Sequence, residues 1–173
     1  IADQFRRSQL TVREEQVPFE AGASDNILGY KKGTAGDLDP FVLAAHYDTV
    51  EGSPGADDNA SAVAALLETA HCLQSVPLKT PLVFAAFTLE EYGFLGSHHH
   101  IVEAKKNNKG FCGMISLEMV GYRDSTPGSQ SYPVYVDPTR YPDTGDFIAV
   151  VGNEPSSKLA HQITEGMRDS EPA

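Results

Sequence analysis

Three short apolar runs constrain the fold of this chain more than any other feature: Phe41–Ala45 (FVLAA), Leu82–Thr88 (LVFAAFT) and Met114–Leu117 (MISL). Runs this short, with no polar alternation, mark strands covered on both faces, the way parallel sheets are built. Helical patterns separate them. Ser61–Ser75 places Val63, Leu66, Leu67, Ala70 and Leu73 on one face. A second helix, expected to be capped by Ser97, carries Ile101, Val102 and Ala104. Lys105, Lys106 and Lys109 lie near its negative end, and Gly110 closes it. The alternation predicts a three-layer α/β sandwich, a mostly parallel mixed central sheet flanked by helices, in a single domain spanning residues 1–173.

The flanks are read more coarsely. Ile1–Leu10 is expected to be a short helix and Thr11–Phe19 an edge strand. Ser24-Asp25-Asn26 reads as a turn into an antiparallel partner strand over Ile27–Lys32. Val120–Asp146 is interrupted by Pro127, Pro133, Pro138 and Pro142. A loop of that length either lines a substrate pocket, with Tyr122, Tyr132, Tyr135 and Tyr141 as candidates, or is a surface excursion. Phe147–Val151 is a strand candidate, followed by a helix from about Ser156 with Leu159, Ile163 and Met167 in register.

Composition excludes some partners. The 13 Lys and Arg against 24 Asp and Glu leave a formal charge of −11, which argues against nucleic acid and anionic membrane surfaces. No apolar run reaches the ~20 residues of a membrane span, and no signal peptide is read. The chain begins with Ile1 and not Met, so it is expected to be a processed or excised piece. Cys72 and Cys112 are too few for a disulfide framework; buried thiols are expected, with a single disulfide as the alternative.

The chemistry gathers where the apolar runs end. FVLAA leads to His46 and then Asp48; FAAFT leads to Glu90-Glu91; MISL leads to Glu118; Asp57 and Asp58 follow the first strand in its loop. Ligands of open α/β sheets bind at the carboxyl ends of the strands. One imidazole among several carboxylates in a small volume requires a cation. His with oxygen ligands suits zinc, with cobalt or manganese possible, and a shared carboxylate allows two ions. Adjacent Glu90 and Glu91 can divide the labour, one binding metal and the other taking a proton. His98, His99 and His100 form a louder cluster that reads as surface, and His71 and His161 read as structural or exposed.

AHYDTV, PGADDNASA, LEEYGFLGS and SLEMVGY, in that order, resemble the M28 family of zinc aminopeptidases over roughly Asn26 to Gly166. The resemblance implies the phosphorylase/hydrolase-like fold of zinc peptidases. It implies that His46 and Glu118 bind one zinc ion, that Glu91 binds the other, and that Asp58 bridges both. Glu90 matches the general base of a metal-bound hydroxide mechanism, and Asp48 the carboxylate that orients His46. A cis peptide is implied at Asp58–Asn59, and the position of Glu118 often carries Asp in the family. Family members continue through further strands to a final histidine that completes the second site, so the domain reads as C-terminally incomplete. A peptide with a free N-terminus is the implied substrate, and a secreted or periplasmic location is favoured. Two alternatives belong to other classes: a non-catalytic scaffold of the same fold, and a single-zinc enzyme similar to glutaminyl cyclases.

Overall fold

A five-stranded mixed sheet organises the first part of the chain, whose computed structural model describes residues 1–20 and 22–170. The chain divides into two compact units, Ile1–Tyr122 and Arg123–Ala173.

In the first unit, a short helix α1 (Ala2–Arg7) precedes a hairpin of β1 (Thr11–Phe19) and β2 (Gly22–Lys31), with Phe19 opposite Gly22. Strands β3 (Phe41–His46), β4 (Leu82–Phe87) and β5 (Gly113–Ser116) are parallel, and β2 joins them antiparallel along β4. The order is β1-β2-β4-β3-β5. From β3 the chain crosses to β4 on one side through α2 (Ala62–Cys72). It then crosses past β3 to β5 through α3 (Leu95–Lys106). Two crossovers of the same hand but opposite direction place their helices on opposite faces. The carboxyl end of β3 therefore lies at a topological switch point, where such sheets form a crevice.

The core follows the pleat. Phe84, Ala86 and Ala45 pack with Phe5 and Leu66 on the face of α1 and α2. Val83, Ala85, Phe87, Val42 and Ala44 pack with Leu28 on the other. Full burial of a side chain such as Phe84 or Leu66 contributes about 1.5–3 kcal/mol. Ala44, Ala45, Ala85 and Ala86 are wholly buried, and their small size leaves room for helices on both faces.

Several local expectations are corrected. Ser24-Asp25-Asn26 is extended, paired with Val17, Gln16 and Glu15, and the chain reverses instead beyond Phe19, where Glu20 has φ +47°. Those polar residues find distant partners: Ser24 Oγ lies 2.6 Å from Thr88 Oγ1, and Asn26 is fully buried. Ser97 does not cap α3. The helix starts earlier, after Phe94 in the left-handed region, and the Ser97 hydroxyl donates to the Phe94 carbonyl. β5 is not covered on both faces, since Met114 is 46% exposed. Both cysteines are free and exposed. His100 is not a surface residue: it is 8% exposed and its Nδ1 meets Glu15 Oε2 at 2.9 Å. His71 and His161 are exposed, as expected.

In the second unit, single turns of 3-10 helix at Pro138–Arg140 and Glu154–Ser156 are capped by Asp137 and Asn153. Helix α4 (Ser157–Ser170) follows. Phe147–Val151 forms no strand; the only ladder pairing among the described residues here is the isolated Asp124–Gly145 bridge. The Tyr132 and Tyr141 rings meet in a tilted pair with centroids 5.5 Å apart, and Tyr135 is exposed. Among the described residues, no helix is long and apolar enough to cross a membrane.

Candidate metal centre

His46 is the last residue of β3 and is 5% exposed. Its Nδ1 lies 3.1 Å from the backbone carbonyl of Asp48. A carbonyl only accepts, so Nδ1 carries the proton and Nε2 presents its lone pair. That lone pair faces Asp58 Oδ1 at 3.2 Å, Glu118 Oε2 at 3.3 Å and Glu90 Oε2 at 3.9 Å. With the ring neutral, three acceptors around a fourth have no hydrogen to share, and either a proton on Nε2 or a cation reconciles them. Asp58 Oδ1 and Glu91 Oε1 are buried without a hydrogen-bond partner. Ligand atoms of His46, Asp58 and Glu91 lie within 4.8 Å of one another. Orphaned oxygens converging on an imidazole lone pair fit a cation, and an N/O donor set of this kind suits zinc.

Three loops deliver these groups. The first runs from His46 through Asp48 to a kinked helical turn, Ala56–Ser61, where Gly55 at φ +65° packs closely on Thr49. The Asp58–Asn59 peptide within that turn is cis, as the motif resemblance implied. The second loop carries Glu90 and Glu91 after Leu89, and the third carries Glu118 before Met119. Leu89 and Met119 have φ of +55° and +44°, in the left-handed region that a side chain disfavours. Both sit directly beside a candidate functional carboxylate, where such outliers concentrate.

The Asp48 side chain reaches the loop after β4. Its carboxylate lies 3.5 Å from His46 Nδ1, beyond the nearer backbone carbonyl, and it accepts the backbone N–H groups of both Glu90 and Glu91.

Asn59 and Ser61 escaped the sequence reading, which places only Asp57 and Asp58 of this turn near the site. Asn59 is buried, donates to the Leu117 carbonyl and to Glu118 Oε2, and accepts from the Met119 N–H. Asp57 accepts from the Gly121 N–H, and Ser61 Oγ accepts from Val120 N–H. The run Asp57-Asp58-Asn59 looks like an N-cap to α2, yet these side chains tie the turn to the Glu118 loop. The cap position of α2 is Ser61, which makes no capping bond.

The carboxylates perturb one another. Burial works against a charged His46, but Glu118, Glu90 and Asp48 outweigh it and raise the imidazole pKa above 6.5. Burial, then the neighbouring Glu91, Glu118 and Asp48, raises Glu90 above the usual range, with His46 opposing. Glu118 is raised for the same first reason, with Asp58 and Glu91 adding to it and His46 again opposing.

Residues 26–167 match the sequence profile described as Peptidase family M28. The chain belongs to this family. It is 37% identical over 184 residues to the uncharacterized protein YfbL of Escherichia coli (strain K12), covering 99% of this chain and 55% of that protein. The structure of BSAP, a zinc aminopeptidase from Bacillus subtilis, aligns with a TM-score of 0.53 at 36% identity, over 65% of this chain and 28% of that one. A glutaminyl cyclase from Porphyromonas gingivalis aligns with a TM-score of 0.63 at 24% identity, over 72% of this chain and 50% of that one, a likeness of fold. The chain thus spans about half the length of YfbL, and less of BSAP.

Proposed function

We propose that this chain carries the metal-binding and proton-transferring groups of a zinc-dependent aminopeptidase acting on peptides with a free N-terminus. The observation that carries the reading is the convergence of Asp58 and Glu118 on His46 Nε2 at 3.2 and 3.3 Å, with Asp58 Oδ1 and Glu91 Oε1 buried and without a hydrogen-bond partner. His46, Asp58 and Glu118 would hold one zinc ion and Glu91 a second, with Asp58 shared. Cobalt and manganese suit the same oxygen-rich set. Bound there, zinc supplies a Lewis acid that lowers the pKa of a water and polarises a carbonyl.

Glu90 is the proton carrier. It stands 3.9 Å from the imidazole, and its raised pKa moves it toward the range where a carboxyl both takes and returns a proton. It accepts a proton from the attacking water and passes it to the leaving amine. Asp48 fixes the backbone from which Glu90 and Glu91 project. The substrate's ammonium group would lie against the acidic cluster. The family match crosses both compact units, which supports reading residues 1–173 as one peptidase domain.

The test is turnover of aminoacyl-p-nitroanilides by the zinc-loaded protein, with zinc content measured in parallel. Glu90→Gln is expected to lose about 10²–10⁴-fold in rate at unchanged zinc stoichiometry. Undiminished turnover would remove Glu90 from the reaction. Pyroglutamate formed from a Gln-initiated peptide, in place of hydrolysis, would favour the cyclase reading. Failure to retain zinc would favour a scaffold role.

A further inference from the structure

A cavity of about 350 Å³ lies among β1, β2, α3 and the segments that enter β3 and β5. Pro40, just before β3, and Val83, near the start of β4, contribute to its wall, with Tyr30 from β2 and Phe111. The volume is on the scale of small-molecule sites, about 300–1,000 Å³. Its lining includes two buried ionisable groups, Glu15 at 5% and His100 at 8% exposure.

These two groups have a defined arrangement. Glu15 Oε2 accepts from Asn26 Nδ2 at 3.0 Å and lies 2.9 Å from His100 Nδ1. The carboxylate therefore fixes the Nδ1 proton, and the ring is wedged between Phe87 and Phe111. His100 Nε2 is left buried and without a hydrogen-bond partner. The candidate metal centre uses neither residue.

The cavity lining carries both signs of charge. Asp37 and Asp39 come from the loop before β3, while Arg13 and Lys109 stand among the other lining residues. Opposite charges beside the aromatic rings of Tyr30 and Phe111 suit a molecule bearing an ammonium and a carboxylate on a compact body. We propose that this cavity binds a zwitterionic, amino-acid-sized ligand. The aspartates receive its ammonium, Arg13 and Lys109 its carboxylate, and Tyr30 and Phe111 its body, with the His100 ring in the same wall.

The test is a titration of the metal-free protein, in chelator, with L-tyrosine, tyramine and 3-(4-hydroxyphenyl)propionate, followed by ring-nitrogen NMR of His100. Saturable tyrosine binding that shifts the His100 signal supports the proposal when the amine and the acid each bind at least about tenfold more weakly. Asp37→Asn and Lys109→Gln, both in the cavity lining, should each weaken tyrosine by a similar factor without unfolding the chain. Equal binding of all three compounds, shifts confined to His46, or an unresponsive His100 signal that reports only an ordered water would overturn it. Chelation keeps this outcome separate from the fate of the peptidase reading.

Discussion

The carboxylate of Asp48 receives the backbone N–H of Glu90 at 3.0 Å through one oxygen and that of Glu91 at 3.1 Å through the other. One side chain after β3 thereby sets the position of two carboxylates after β4. Asparagine keeps one acceptor and turns the other into a donor aimed at an N–H. Asp48→Asn is expected to weaken zinc binding by about 10–100-fold, as loss of an outer-shell partner does. A competition titration against a chromophoric chelator measures this, and wild-type affinity would show that the backbone holds its place unaided.

Gly96, in the first turn of α3, has no room for a side chain. A Cβ there would run into the Thr88 carbonyl and lie 2.6 Å from Asn26 Oδ1. Both neighbours are buried and hydrogen-bonded, since Asn26 donates to the Gly96 carbonyl and accepts from Thr88 N–H. Gly96→Ala should therefore cost about 1–3 kcal/mol or more in chemical denaturation, despite the better helix propensity of alanine. An unchanged midpoint would mean that α3 can shift freely against β4.

Burial alone would raise the pKa of Glu15, but hydrogen bonds from His100 and Asn26, with the charges of His100 and Arg13, hold it below 4.5. A carboxylate lowered in the folded state contributes stability that is complete above its unfolded value near 4.5. That contribution is lost as pH falls through the lower folded value. Glu15→Gln should lower stability at neutral pH by about 1–3 kcal/mol, the cost of a poorly satisfied buried group. It should also flatten the acid limb of the stability curve below pH 4.5. Denaturation midpoints across pH test both parts. A parallel acid limb in the variant would assign the acid sensitivity to other carboxylates.

These residues show where sequence reading succeeds and where it stops. His46, Glu90, Glu91 and Glu118 were legible because each follows an apolar strand closely, and parallel strands align their ends without further information. Thr11–Phe19 was found to the residue because its alternation is local. Asn26 and His100 were misread because Asn26 pairs with Glu15 at a separation of 11 residues and His100 at 85, and neither separation leaves a pattern in the sequence. Phe147–Val151 has the apolar content of a strand but no strand to pair with among the described residues. Propensity proposes a strand; only a partner makes one.

The same acidic cluster that invites a metal should destabilise the metal-free chain. Asp58 Oδ1 is buried without a hydrogen bond, 3.2 Å from an imidazole lone pair and among Glu90, Glu91 and Glu118. Asp58→Asn removes one charge from this group and supplies N–H donors to neighbouring acceptors. Its thermal midpoint without metal should equal or exceed that of the wild type. Zinc should then separate the two proteins. At 100 times its dissociation constant, zinc stabilises the wild type by about 2.7 kcal/mol, because only the folded state assembles the ligands. The variant, lacking the shared carboxylate, should gain almost nothing at the same concentration. Differential scanning calorimetry with and without chelator measures all four states. A variant that gains as much from zinc as the wild type would show that Asp58 is not a ligand. A variant less stable without metal would show that the site is held together by contacts other than those a cation completes.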